Sequence, residues 1–213
     1  MNTIYSDHKG NSRIGQIDIF LEIAIDNYIA ANKLHLEKKE LLKRKKKIID
    51  PSNGKEYEFP GFDNLRRLFF IQNKRFKHEI QGIISLVTFY EALINEIGIT
   101  ELGNEYFNTN LERKSIMDKW KTIPKLVYND SIDKKARYYG TMFDIVKLRN
   151  KLVHYKTKLH TGQSDVTDFF RLLKLCLFNI HGLIADLKVL DKDKGIIYFA
   201  DIDKKIKKIK TSR

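Results

Sequence analysis

The sequence predicts an all-α protein, and three observations carry that expectation. Only three prolines (Pro51, Pro60 and Pro124) occur in 213 residues. Between them, apolar residues recur at spacings of three and four, and turn-forming clusters are sparse. The expected architecture is an up-and-down bundle of four to five helices with one inserted loop and a short C-terminal tail.

Residues 1–13 read as an N-terminal arm, 14–190 as the helical domain and 191–213 as a basic tail. A first helix is expected from about Ile14 to Ile48, with Ile17, Leu21, Ala24, Ile25, Tyr28 and Ile29 on its apolar side. Its end holds EKKELLKRKKK, and cations suit a helix C-terminus. The stretch DPSNGKEYEFPGFDN (Asp50 to Asn64) has two prolines and two glycines, so it reads as a loop. A second helix is expected from Leu65 to Ile97, ended by Gly98 as a left-handed cap. A shorter helix spans about Leu111 to Lys121, and Pro124 opens the next turn. Lys134 to Lys156 and Asp165 to Leu190 supply the last two, with Asp165 or Thr167 capping the final one. GIIYFADI (Gly195 to Ile202) is the one strand candidate.

A composition of 42% hydrophobic and 31% charged residues fits one soluble domain. The net charge of +13 and pI of 9.6 favour a polyanionic partner. The single cysteine, Cys176, lies in the apolar run LLKLCLFNI. It excludes disulfide frameworks and multi-cysteine zinc sites, and predicts core packing in a reducing compartment. The N-terminus lacks a signal-type pattern, and no stretch approaches eighteen consecutive apolar residues, so a cytoplasmic protein without a membrane partner is expected. The histidines lack convergent carboxylates at metal-ligand spacing, and there is no glycine-rich phosphate loop, so neither a metal nor a nucleotide cofactor is expected.

The most informative stretch is KLRNKLVHYK, Lys147 to Lys156. At about 100° per residue, Tyr138, Met142, Ile145, Val146, Leu148, Leu152 and Val153 cover one broad side of the helix. Arg149 projects into the middle of that side, while Asn150 and His154 lie about 40° apart at its border. An inward arginine requires an acidic partner. Helical counting along QGIISLVTFYEALINEIG puts Glu91 among Ile80, Ile84, Val87 and Ile94, with Asn95 one turn further on. Pairing of Arg149 with Glu91 is expected, and breaking a buried pair of this kind costs roughly 3–5 kcal/mol.

Arg149, Asn150 and His154 resemble the Arg-Asn-x-x-x-His motif of the HEPN superfamily's ribonucleases. The full motif is expected by chance in about one chain in fifty of this composition. Its place late in a helix, preceded by VTFYEALINEIG and KWKTIPKLVYND, strengthens the likeness, which runs from about Ile14 to Leu190. One departure is visible. Tyr155 follows His154 directly, whereas HEPN toxins paired with nucleotidyltransferase antitoxins carry a tyrosine two residues on, where this chain has Lys156.

The resemblance implies metal-independent RNA cleavage by attack of the ribose 2′-hydroxyl on the adjacent phosphate, in a prokaryotic toxin or defence effector. It implies His154 as acid or base, Arg149 as phosphorane stabiliser and Asn150 as a positioning group, with Glu91, Asn95 and Tyr155 in support. It further implies a homodimer whose two motifs face each other, and an antitoxin or defence partner protein. Because Arg149 and His154 diverge by about 140° on an ideal helix, a second subunit also eases the geometry. Lys43, Arg44, Lys45, Lys46, Lys47, Lys147 and Lys151 are candidates for non-specific phosphate attraction. A HEPN module that dimerises and binds a nucleic acid or a protein without cleaving is the alternative the same residues leave open.

Overall fold

The computed structural model describes residues 3–6, 12–15, 17–44, 46–59, 61–153 and 168–190. The arm is a short antiparallel hairpin of β1 (Thr3–Ser6) and β2 (Ser12–Gly15), with Thr3 opposite Gly15. It leads into α1 (Ile17–Lys43), which buries Leu21, Ala24, Ile25 and Tyr28 as the spacing predicts.

α1 stops five residues before the expected Ile48, and the expected loop is a second hairpin, β3 (Lys46–Ile49) against β4 (Glu56–Phe59). Physically, β-branched Ile48 and Ile49 favour the extended chain, and a tight turn begins directly after them. Asp50 organises that turn, accepting from the Ser52 backbone N–H at 2.9 Å and the Ser52 hydroxyl at 2.6 Å. Lys47 and Glu56 pair across the strands at 2.9 Å. Counting apolar spacings missed this hairpin because each strand has only four residues, too few to show a period.

α2 (Phe62–Leu102) is 41 residues long, about 60 Å from end to end. It starts before Leu65 and runs past the expected stop at Gly98. Gly98 is buried, and a Cβ there would lie 2.9 Å from Ile123 Cδ1 and from Phe107 Cδ2. Gly98 is therefore a close-approach residue rather than a cap. The stop is Gly103, at φ 86°, whose N–H donates to the Ile99 carbonyl.

The helix predicted over Leu111 to Lys121 is α4 (Ile116–Tyr128), which begins five residues later than expected, and a short helix that the spacing did not predict, α3 (Asn104–Asn110) with its C-cap at Leu111, precedes it. Ser115 caps α4 by accepting from the Asp118 N–H at 3.2 Å. Pro124 sits inside α4 instead of opening a new turn. It forfeits the bond to the Trp120 carbonyl, and the helix survives because Trp120, Ile123 and Pro124 are all buried. α5 (Arg137–Val153) and α6 (Phe169–Leu190) complete the chain. Asp168 caps α6, accepting from the Arg171 N–H at 3.1 Å, while Asp165 and Thr167 lie outside the described residues. So do the strand candidate at 195–202 and the tail.

The six helices among the described residues pack around α2, which touches each of the other five. The main core joins Leu21, Leu86, Phe89, Tyr90, Ile94, Trp120, Met142, Ile145, Leu173 and Leu177. Cys176 belongs to it, donating to the Thr141 carbonyl at 3.1 Å, and burial pushes its thiol pKa up to about 12. A second, small cluster of Leu41, Leu68 and Ile71 marks where α1 and α2 continue as a two-helix arm beyond the core. α2 is long and apolar enough to cross a membrane by length and composition, but 56% of its apolar window is buried within the fold.

Candidate functional site

α5 presents its core face through Tyr138, Met142, Ile145, Val146 and Leu148, all buried, and Tyr138 anchors it by donating a hydrogen bond to Asp186 on α6. Val153, expected on that face, is 55% exposed, since the last turn of α5 extends past the core. Ile84, grouped with the apolar face of α2, is 38% exposed.

Arg149 leaves the core face of α5 toward α2. Its Nη2 lies 3.5 Å from Glu91 Oε2, the pairing that the two helix faces predict. Its Nη1 donates to Asn150 Oδ1 at 3.1 Å. Two of the guanidinium nitrogens thus have a polar partner on the protein. The side chains of Arg149 and Glu91 are 25% and 36% exposed, so solvent screens the pair, and its contribution falls to roughly 1 kcal/mol rather than that of a buried pair.

Arg149, Asn150 and Glu91 line a cleft of about 950 Å³ between α5, α2 and the start of α4. Lys114, Lys121, Lys147, Arg149 and Lys151 face it against the carboxylates of Glu91 and Asp118. Asp118 is already engaged. The Ser115 hydroxyl donates to it at 2.6 Å and Lys121 lies 3.3 Å away, which together hold its pKa below the usual carboxylate range. The remaining charge in the cleft is cationic, so it suits a phosphate-bearing ligand. A second cleft of about 470 Å³ lies on the other side of α5, against α6, and Lys147 and Lys151 line both. The ridge between the clefts is therefore basic.

Asn95 does not line the cleft, and its Oδ1 is buried without a hydrogen-bond partner among the described residues. Lys43 and Lys47 sit at the far end of the molecule, paired with Glu40 at 2.8 Å and Glu56 at 2.9 Å. Arg44 follows α1 directly and Lys46 opens β3. Leu41 packs beside Leu68, which precedes Glu91 by 23 residues of α2, so this basic block lies about 35 Å from the cleft. Within one chain it does not border Arg149. Lys45, His154 and Tyr155 lie outside the described residues, the last two immediately after the described end of α5. Among the described residues no group of three or more metal-binding side chains occurs.

Sequence reasoning missed Lys114, Ser115, Lys121 and Phe143. Phe143 lines the cleft with half its surface exposed. The signal for it was its position off the apolar face of α5, where a phenylalanine has no packing role. The chain matches no family model, and no curated protein or solved structure matches it either.

Proposed function

We propose that the chain is a metal-independent endoribonuclease of the HEPN type, acting on cellular RNA as a toxin or defence effector. The observation that carries this reading is the Arg149 guanidinium, fixed between Glu91 at 3.5 Å and Asn150 at 3.1 Å on the wall of a cationic cleft. A guanidinium held in this way is preorganised to receive charge that develops on a phosphorane. Lys147 and Lys151 guide the RNA backbone across the α5 ridge, and Phe143 offers a ring on which an unpaired base stacks.

In the reaction, the ribose 2′-oxygen forms a bond to phosphorus as the bond from phosphorus to the 5′-oxygen breaks. A base removes the 2′-hydroxyl proton and an acid protonates the leaving 5′-oxygen, so a 2′,3′-cyclic phosphate and a 5′-hydroxyl result. His154 takes the acid–base role, and a homodimer with facing motifs supplies one histidine for each proton transfer. Asn150 positions Arg149 through the bond already formed to it.

The test uses purified protein, single-stranded RNA and an excess of chelator. Cleavage is expected, with His154→Ala lowering the rate by about 10²–10⁴-fold, the usual contribution of general acid–base catalysis. A 2′-deoxy substitution at the cut position removes the nucleophile and blocks the reaction. Equal cleavage of DNA, or full activity in His154→Ala, refutes the enzyme; RNA binding without cleavage leaves the binding module in its place.

A further inference from the structure

The cleft of about 470 Å³ between α5 and α6 takes no part in the reaction described above, yet its lining has two chemically distinct parts. The apolar part is Leu148, which is buried, with Leu172 and Leu175, which are half-buried. The cationic part is Lys147, Lys151 and Arg171, all exposed, against the carboxylates of Asp144 and Asp168. Asp168 is already engaged as the cap of α6, accepting from the Arg171 N–H at 3.1 Å. None of the three cationic side chains has an ion-pair or hydrogen-bond partner among the described residues. Leucines beside unpaired cations match a nucleotide, whose base has apolar faces and whose phosphate is anionic.

Lys147 and Lys151 tie this cleft to the one at Arg149, because they line both. Phe143, Lys147 and Lys151 form one row along α5, each a turn from the next, with Asn150 on one flank and Asp144 and Leu148 on the other. A helix with its side chains is roughly 10–12 Å across, so a strand passing from one cleft to the other crosses a short ridge. Each lysine on that ridge meets one phosphate, and Arg171 meets the next on the α6 side. The shared ridge selects a strand over small ligands. Two separate anions would compete for the same two lysines, whereas consecutive phosphates of one strand use them together.

We infer, on the reading that the Arg149 cleft takes RNA, that the α5–α6 cleft is a second subsite for the same strand. It holds a nucleotide that flanks the cut, with Arg171 on its phosphate and Leu148, Leu172 and Leu175 against its base. No step of the cleavage occurs there. Its effect is on the length of RNA that binds well: a dinucleotide, with one phosphodiester, occupies the Arg149 cleft alone, and only a longer strand reaches Arg171.

The test compares a dinucleotide with a single strand of about ten nucleotides, bound to the full chain carrying His154→Ala so that the RNA stays intact, with circular dichroism as the folding control. Arg171→Glu is expected to weaken the longer strand about tenfold and leave the dinucleotide unchanged, and Arg171→Ala to lower the salt slope of the longer strand by about 0.7. An acid in the first turn of α6 suits the helix, so the fold is kept. Lys174→Glu, on α6 but lining neither cleft, makes the same change of charge and is expected to cost less. A strand carrying 4-thiouridine is expected to photocrosslink to the α6 peptide that follows Arg171. Unchanged affinity in Arg171→Glu, an equal loss in Lys174→Glu, or an equal loss on the dinucleotide overturns the inference. A free mononucleotide bound as tightly as the longer strand, and lost in Arg171→Glu, also overturns it and makes the cleft a small-ligand site. The ribonuclease reading is scored separately: Arg171-dependent binding without cleavage by the unaltered chain keeps the subsite and removes the enzyme, whereas cleavage with no effect of Arg171→Glu does the reverse.

Discussion

Arg149 and Glu91 meet at 3.5 Å across the gap between α5 and α2, and both side chains remain partly in contact with solvent. That exposure separates positioning from stability. Glu91→Ala removes one of the two groups that orient the guanidinium. Cleavage is expected to fall about tenfold, the loss of roughly 1.4 kcal/mol of transition-state stabilisation, while the unfolding free energy falls by no more than about 1 kcal/mol. The double exchange Glu91→Arg with Arg149→Glu regains stability in urea melts and does not regain cleavage, since a carboxylate then occupies the phosphate-facing position.

The two basic regions make opposite predictions in salt. Lys147 and Lys151 line both clefts, whereas Lys43 sits beyond the core and pairs with Glu40. Each phosphate contact on a single strand contributes about 0.7 to the slope of log affinity against log salt. Lys147→Ala with Lys151→Ala is expected to lower that slope by about 1.4 for a single-stranded RNA. Lys43→Ala leaves it unchanged. A fluorescence anisotropy titration at several salt concentrations reads both values.

Much of this architecture is legible in the sequence because the helices follow their apolar spacing. Leu21, Ala24, Ile25 and Tyr28 are buried on α1, and Met142, Ile145 and Leu148 on α5, as counting requires. The pairing of Arg149 with Glu91 is legible for the same reason, since helical counting sets each of them beside apolar residues of its helix. What counting cannot see is two-residue chemistry in short elements. The β3–β4 hairpin rests on local turn bonds around Asp50, and the stop at Gly103 in place of Gly98 depends on which glycine touches Phe107 and Ile123. Lys114 and Lys121 reach the cleft only through the way α4 packs on α2, a long-range contact with no local signature.

His35 gives a prediction in pH. Arg75 Nη1 donates to His35 Nδ1 at 3.0 Å, and a guanidinium cannot accept, so that ring nitrogen is unprotonated. The ring stacks on Phe170 at 5.0 Å. Burial, then the charges of Lys39 and Arg75, lower its pKa below 6.5, with Lys38 adding to this and Asp168 opposing it. The unfolded chain therefore binds a proton at a pH where the folded chain does not. The stability contributed is complete above 6.5 and is lost as pH falls from there through the folded value. Nearby Glu79 acts in the opposite sense. Burial raises its pKa, so its contribution is lost as pH rises through the raised value. Comparison of wild type with His35→Gln isolates the histidine: the variant is expected to lose less stability between pH 7 and pH 5, read by thermal melts.

Two helical glycines predict opposite effects of the same substitution. At Gly140, in α5, nothing lies within 4 Å of an added Cβ, so Gly140→Ala reduces the freedom of the unfolded chain without a clash and stabilises by up to about 1 kcal/mol. At Gly98 the added carbon meets Ile123 and Phe107 side chains at 2.9 Å. Overpacking a core costs about 1–3 kcal/mol, which exceeds the helix-propensity gain of about 1. Gly98→Ala is therefore expected to destabilise, by about 1 kcal/mol net, or roughly 2–4 °C in the melting temperature. The consequence reaches the cleft. Ile123 belongs to α4, whose first turns carry Ser115, Asp118 and Lys121 against Arg149. Pushing α4 outward at Ile123 moves that wall, so Gly98→Ala also lowers RNA cleavage when compared at equal folded fraction, whereas Gly140→Ala does not. Equal activity in the two variants would mean that α4 contributes no part of the RNA-binding wall.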